Sequence, residues 1–416
     1  MDQKAVIKRL DHGKYAPTAR TTTPLVAWVV LPTIMLCGLV DLPRLFILGP
    51  VTSLALLTVA YAFSAWILWI VRPIFVRPAI LALWPFVALL IWSYATFLWH
   101  APSVSGLQNV LVLSTFVGFA LLVSYECYRI PRFAELVRTT IVRAVWLAAA
   151  LYVVSLLSGG LGFGEFMGSR SFAMVALLGV ACHLGAWRHS QPLRLWQAIF
   201  LTLLIGVSLS RTALFVALML LPLSRLSLKH FRSWVRVALM TAFIAILSYL
   251  AITYIEPLNE RFFAGDRAYE VEGVAVNTSG RTEIWGIVWD SYLTSPLTGL
   301  GAGSAEEVLA QYDPNAAGHP HNDYLRYLHD YGPLGLGLLC LGFLCLLWTI
   351  GRSWVRASRT EDPEASLHLA ALLSLTSVAL VMITDNVIVY IFVMAPLGAL
   401  IGASLGRVGH LLQKHV

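Results

Sequence analysis

The chain has 416 residues, of which 58% are hydrophobic and 12% charged, with a formal net charge of +7. Its mean hydropathy of +0.75 exceeds what a soluble fold of this size conceals, because surface must be covered by polar groups. These figures exclude a nucleic-acid binder, a disordered scaffold and a cytosolic enzyme, and leave a polytopic membrane protein.

The first 24 residues are polar and basic, with Lys4, Lys8, Arg9, Lys14 and Arg20. A hydrophobic span follows from Leu25 without a small-residue cleavage signal, so a retained first helix is expected. A spanning helix needs roughly 20 apolar residues. Such stretches occur near 25–40, 46–70, 79–99, 106–124, 139–157, 172–187, 196–209, 212–223, 234–254, 333–350, 367–383 and 387–406. The predicted fold class is therefore an all-α polytopic membrane protein with about 12 transmembrane helices. The seventh and eighth stretches are short and divided only by Ser210-Arg211. The five cysteines, Cys37, Cys127, Cys182, Cys340 and Cys345, lie in or beside apolar runs without C-x-x-C spacing. They read as small buried hydrophobes.

With the N-terminus placed in the cytoplasm, 21 of the 29 Lys and Arg residues fall inside, seven fall outside, and Arg143 sits within a helix. This excess follows the positive-inside rule and predicts both termini in the cytoplasm. The whole chain then reads as one integral membrane domain. It comprises an N-terminal segment over 1–24, helices across 25–254, an external loop with short helices over 255–332, helices across 333–406 and a C-terminal segment over 407–416.

The external loop holds the densest polar chemistry. In Ser279-Gly280-Arg281-Thr282-Glu283, Ser279 is a predicted N-cap, which puts Arg281 in a first helical turn where the macrodipole disfavours a cation. Either an anion shares that place or Arg281 pairs with Glu283 or Asp266. Gly299, Gly301 and Gly303 permit a tight turn or a close approach of backbone to ligand. From Asn322 to Tyr331 the pattern reads as a helix stopped by Gly332-Pro333. His321 stands just before it, where a helix N-terminus lowers an imidazole pKa and leaves a neutral proton acceptor. His319, His321, Asp323 and His329 fit no zinc-binding spacing, and Asp323 is expected to point away from His321. Arg211, at the outer end of a span, either snorkels to headgroups or clamps phosphate with its guanidinium fork. Arg170, beside a Gly-rich outer loop, and Asp385-Asn386, at a helix-ending turn, read as ordinary loop charges.

Taken in order, Ser210-Arg211, Ser279-Gly280-Arg281 with Trp285, Gly299-Leu300-Gly301 and His321-Asn322-x-x-Leu325 followed by Asp330-Tyr331-Gly332 resemble the O-antigen ligase/polymerase superfamily of membrane glycosyltransferases. The resemblance is motif-specific over about 200–335, and Asp330 stands where that family commonly has Glu. It implies an enzyme of the bacterial inner membrane with its active site facing the periplasm, needing no metal ion, ATP or other cofactor. The implied donor is an undecaprenyl-pyrophosphate-linked O-antigen and the implied acceptor a lipid A–core oligosaccharide; the lipid bilayer is the surrounding partner and the chain is expected to act as a monomer. Carried over residue by residue, the implied catalytic residues are His321, Arg211 and Arg281, with Arg211 and Arg281 holding pyrophosphate. His319, Asn322, Tyr324, Arg326 and Gly301 are further substrate-binding candidates. A polymerase joining two lipid-linked glycans is the alternative within the family, and a membrane transporter the alternative from another class.

Overall fold

The computed structural model describes residues 26–41, 76–160, 166–189, 191–226, 231–254, 256, 259, 268–271, 274–277, 280–312 and 318–413. The described helices are α1 (Ala27–Cys37), α2 (Arg77–Ala95), α3 (Val104–Arg129), α4 (Pro131–Gly159), α5 (Ser169–Arg188), α6 (Leu193–Val207), α7 (Arg211–Ser224) and α8 (Phe231–Tyr254). After an antiparallel hairpin of β1 (Ala268–Val271) and β2 (Val274–Asn277) come α9 (Arg281–Tyr292), α10 (Ser304–Tyr312), α11 (Asp323–Arg359), α12 (Ala365–Val381) and α13 (Ile391–Gln413).

The all-α expectation holds apart from that hairpin, but the expected count of about 12 spanning helices does not. Among the described residues, six helices are long and apolar enough to cross a membrane: α2 extended to Leu98, α3, α4, α5, α11 and α13 up to Val408. The apolar helices α1, α6, α7 and α12 are shorter. At a rise of ~1.5 Å per residue, the 15 residues of α6 and 14 of α7 fall short of a hydrocarbon core of about 30 Å. The expected span at 46–70 and the basic segment at 1–24 lie outside the described residues, as do the last three residues.

A separate external loop carrying short helices is also absent among the described residues. Instead α9 and α10 share a small core with the start of α11: Val288, Ala305 and Leu309 are buried against Ile284, Ile287 and Leu325. The turn before α10 is stitched to α11, with the Leu300 and Gly301 amides donating to the His329 and Asp330 carbonyls at 2.9 Å each. It is joined to the end of α2 as well, where the Thr96 hydroxyl accepts from the Ala302 amide at 3.2 Å. The helix read as stopping at Tyr331 does break there: Gly332 is non-helical, with φ 67°, and a second helix continues from the kink to Arg359 within the range given for α11. Glycine tolerates that backbone, and the kink removes the clash that proline would otherwise make in a straight helix.

Local chemistry sets several boundaries. The Ser103 side chain caps α3 by accepting from the Gly106 amide at 3.1 Å, and Pro131 opens α4 where a missing N–H costs nothing. The bundle is organised around two helices. Residues Phe172 to Ala186 of α5 are all buried, and the spanning part of α13 is buried throughout, as befits helices that are apolar all round. By contrast α2 exposes Leu81, Trp84 and Ile91, α4 exposes Leu157, and α11 exposes Leu344 and Trp348. These outward apolar faces suit lipid, and the protein is a multi-pass membrane protein.

Helices α3 and α13 pack closely against each other. A Cβ on Gly398, Gly402 or Gly406 would lie 2.6, 2.6 or 2.3 Å from the carbonyl oxygens of Phe116, Ala120 and Ser124 respectively. Both rows advance by four residues, so one glycine stripe runs along one carbonyl row; small residues permit such approach where lipid offers no hydrophobic drive. Gly402→Leu is accordingly expected to separate α3 from α13, lowering the thermal transition of the detergent-solubilised protein and its yield in the membrane. A shift within measurement error would show that the stripe is not required.

Candidate active site

Four helices begin at one place. Arg170 is in the first turn of α5, Arg211 opens α7, Arg281 opens α9, and His321 immediately precedes Asn322, the N-cap of α11. The Asn322 side-chain oxygen accepts from the Leu325 amide at 3.0 Å, which fixes the start of α11. Trp285 Nε1 of α9 donates to the Pro320 carbonyl at 2.7 Å, so the α9 helix holds the segment that carries His321.

Asp323 secures the same region from beneath. It is fully buried, and its Oδ2 accepts from the amides of Val387 and Ile388 at 2.6 and 2.9 Å. Its Oδ1 accepts from Arg326 at 2.7 Å (Nη2) and 3.1 Å (Nε), and its own amide donates to the Met382 carbonyl at 2.9 Å. The turn between α12 and α13 is thereby locked to the start of α11. That turn is joined to α7 as well, through a 2.6 Å contact between the hydroxyls of Thr384 and Thr212.

The turn delivers Asp385. Its carboxylate accepts from Arg170 Nε at 2.9 Å and from Arg170 Nη2. The same Nη2 contacts His321 Nδ1 at 2.8 Å. Arg170 and Asp385 were read from sequence as ordinary loop charges; the fold pairs them and sets them against His321. Their opposite signs at the predicted outer ends of two spans were the available signal, but 215 residues separate them, and no local pattern joins them.

Burial and the adjacent Arg170 guanidinium lower His321 from its ordinary value to about 4, with Asp385 opposing and Arg281 and His319 adding. The ring is therefore neutral near pH 7. Burial also lowers Arg281; Asp385 works against this, and the charges of Arg170 and Arg211 reinforce it. Three arginines thus sense one another, and among the described residues Arg281 has no ion-pair partner. Glu283, one expected partner, instead accepts from the Tyr312 hydroxyl at 3.2 Å; Asp266 and the expected cap Ser279 lie outside the described residues. Gly280 occupies the N-cap position of α9 with φ 76°.

Among the described residues, two of the three non-glycine residues with positive φ lie at this cluster: Leu209 at 57°, two residues before Arg211, and His321 at 52°. A left-handed backbone at such residues costs of order 1–3 kcal/mol and persists where surrounding structure imposes it. Here the break between α6 and α7 and the entry to α11 impose it.

The remaining candidates take up structural contacts. His319 Nδ1 and the Asn109 amide both lie 3.1 Å from the Glu306 carboxylate. Arg326 is buried with Asp323 and lies 3.9 Å from Glu306. The Tyr324 hydroxyl donates to the Ala379 carbonyl at 2.9 Å. Gly301, with φ 110°, has the His100 side chain where its own Cβ would lie. Asp330 is buried and caps α10, accepting from Ser304 Oγ and the Ala305 amide at 3.0 Å each, and His329 Nε2 is 3.0 Å from Ser291 Oγ. Among the described residues no group of three or more His, Cys, Asp or Glu could hold a metal ion.

A family model described as O-antigen ligase matches residues 196–340. Over that stretch, which carries Arg211, Arg281 and His321 but neither Arg170 nor Asp385, the chain is similar to that family. The match and the membrane-helix architecture support a membrane glycosyltransferase of the O-antigen ligase/polymerase type. No curated protein matches the chain.

Two measurements probe this geometry. Asp323→Ala leaves Arg326 buried without its carboxylate, and breaking a buried pair costs about 3–5 kcal/mol; a marked fall in thermal transition is expected, and an unchanged transition would contradict the tether. For His321, the folded value of about 4 lies below the ordinary value of about 6.5. Between the two, the unfolded chain binds a proton that the folded chain does not, so stability is lost as pH falls. His321→Gln is expected to flatten the fall in thermal transition between about pH 7 and about pH 4; equal slopes in both proteins would count against a neutral buried ring.

Proposed function

We propose that the protein transfers O-antigen polysaccharide from undecaprenyl pyrophosphate to a sugar hydroxyl of lipid A–core at the periplasmic face of the inner membrane, without metal ion or ATP. The observation that carries this reading is the convergence of Arg211 and Arg281 at helix N-termini beside Arg170. Macrodipoles and guanidinium charges there have the same sign, which Asp385 offsets at Arg170, so the place attracts a further anion. A pyrophosphate supplies the opposite charge, and guanidinium forks match its oxygens.

The chemistry is a single displacement at the anomeric carbon. The acceptor hydroxyl attacks, the glycosyl–phosphate bond breaks, and the configuration inverts. Arg211 and Arg281 hold the pyrophosphate and stabilise the negative charge that grows on it, an effect strengthened where water is thin. Pyrophosphate is already a good leaving group, so no strong general acid is needed. His321 faces the same place as a neutral ring, and Asn322 and His319 flank it.

Reconstitution in lipid with a pyrophosphate-linked glycan and purified lipid A–core tests the assignment. Arg211→Ala and Arg281→Ala are each expected to lower transfer by roughly 100-fold or more, the usual cost of a lost charge-stabilising donor. Product on lipid A–core supports the ligase; longer lipid-linked glycan formed without that acceptor would make the protein a polymerase. Full transfer by both arginine variants would remove the site.

A further inference from the structure

The contact between Arg170 and His321 determines where the imidazole carries its proton. A guanidinium has five N–H donors and no acceptor. The 2.8 Å contact of Arg170 Nη2 with His321 Nδ1 is therefore a hydrogen bond only if Nδ1 offers its lone pair. A neutral ring holds one proton, which must then sit on Nε2. Among the described residues Nε2 makes no hydrogen bond, so this N–H is free to meet a substrate.

Arg170 is held in that pose. Its Nε and Nη2 both donate to Asp385, whose side chain is only 4% exposed. Asp385 Oδ1 also accepts from the Asn386 amide at 2.7 Å. The turn carrying Asp385 is tethered by Asp323 through Val387 and Ile388. The Arg170 guanidinium cannot follow the ring without abandoning its carboxylate.

We infer that Arg170 and Asp385 are positioning residues that lock His321 as the Nε2–H tautomer, so that His321 donates a hydrogen bond to a pyrophosphate oxygen instead of taking the acceptor's proton. This deepens the transferase reading and rests on it for the identity of the ligand. Nδ1 is occupied by Arg170 and Nε2 already bears hydrogen, so neither nitrogen is a base. In the step, the glycosyl carbon–oxygen bond to phosphate breaks with its electron pair passing to phosphate. The acceptor oxygen forms the new bond to carbon, and the hydroxyl proton ends on the released pyrophosphate. His321 Nε2–H and the arginines face the oxygen on which charge grows.

The tautomer is measurable by nitrogen NMR of histidine-labelled protein in lipid nanodiscs, the His321 signals being those lost in His321→Gln. The wild-type ring is expected as Nε2–H. Arg170→Met is expected to bring in the Nδ1–H form, and Arg170→Lys, which keeps a donor, to preserve the wild-type form. Arg170 is 41% exposed and Asp385 4%; Arg170→Lys keeps a positive charge opposite Asp385, so the two variants separate the tautomer effect from loss of the ion pair. A wild-type ring protonated on Nδ1, or a tautomer indifferent to Arg170→Met, overturns the inference. In the transfer assay, His321→Ala is expected to lose roughly 100-fold, and His321→Gln, whose amide N–H overlies Nε2 but cannot act as a base, to recover at least about tenfold of that. Equal losses in the two variants would restore the base and refute the donor. If wild-type protein transfers no glycan from a pyrophosphate-linked donor, the functional reading fails while NMR still decides the tautomer.

Discussion

The carboxylate of Asp323 is the interaction on which the candidate site depends. It lies in the first turn of α11, buried, and binds two amides of the α12–α13 turn while pairing with Arg326. A buried charge is tolerated only when its hydrogen-bonding capacity is met. Meeting it forces two chain segments more than 60 residues apart into fixed register. Everything that follows, from the position of Asp385 to the orientation of Arg170 and the ring of His321, inherits that register.

Around this tether the site is assembled from helix beginnings. α5, α7, α9 and α11 all start there, and three of them bring an arginine into the first turn. Isolated helices disfavour cations at that end, so the arrangement opposes local helix stability. The left-handed backbones at Leu209 and His321 are a second cost borne at the same place. Strain and like-charge repulsion are thus concentrated at one locus, the place where the proposed pyrophosphate would bind. The buried helices supply position: the glycine stripe of α13 against α3 and the buried length of α5 form the frame.

Much of this was legible in the residues. Composition announced the membrane, Ser210-Arg211 announced the break between α6 and α7, and Arg281 and His321 were singled out at helix starts where the structure places them. The count of spanning helices was not legible, because hydropathy registers apolar length and not whether a run such as α6 or α7 extends across the bilayer. Nor was the merging of 281–312 with the bundle, since buried Glu306 and Asp330 look like surface charges until their partners Asn109 and Ser304 are known. Asp323 reads in sequence as one polar residue in a polar helix; its burial is a property of the turn it meets.

The sequence by itself determined a membrane protein with its chemistry gathered at a few cationic helix starts, because apolar content, helix punctuation and charge placement are local properties of the chain. Only the tertiary structure decided that Arg170 and Asp385 belong with His321. That grouping depends on which side chains meet across 151 and 215 residues, a separation that no local property of the chain spans.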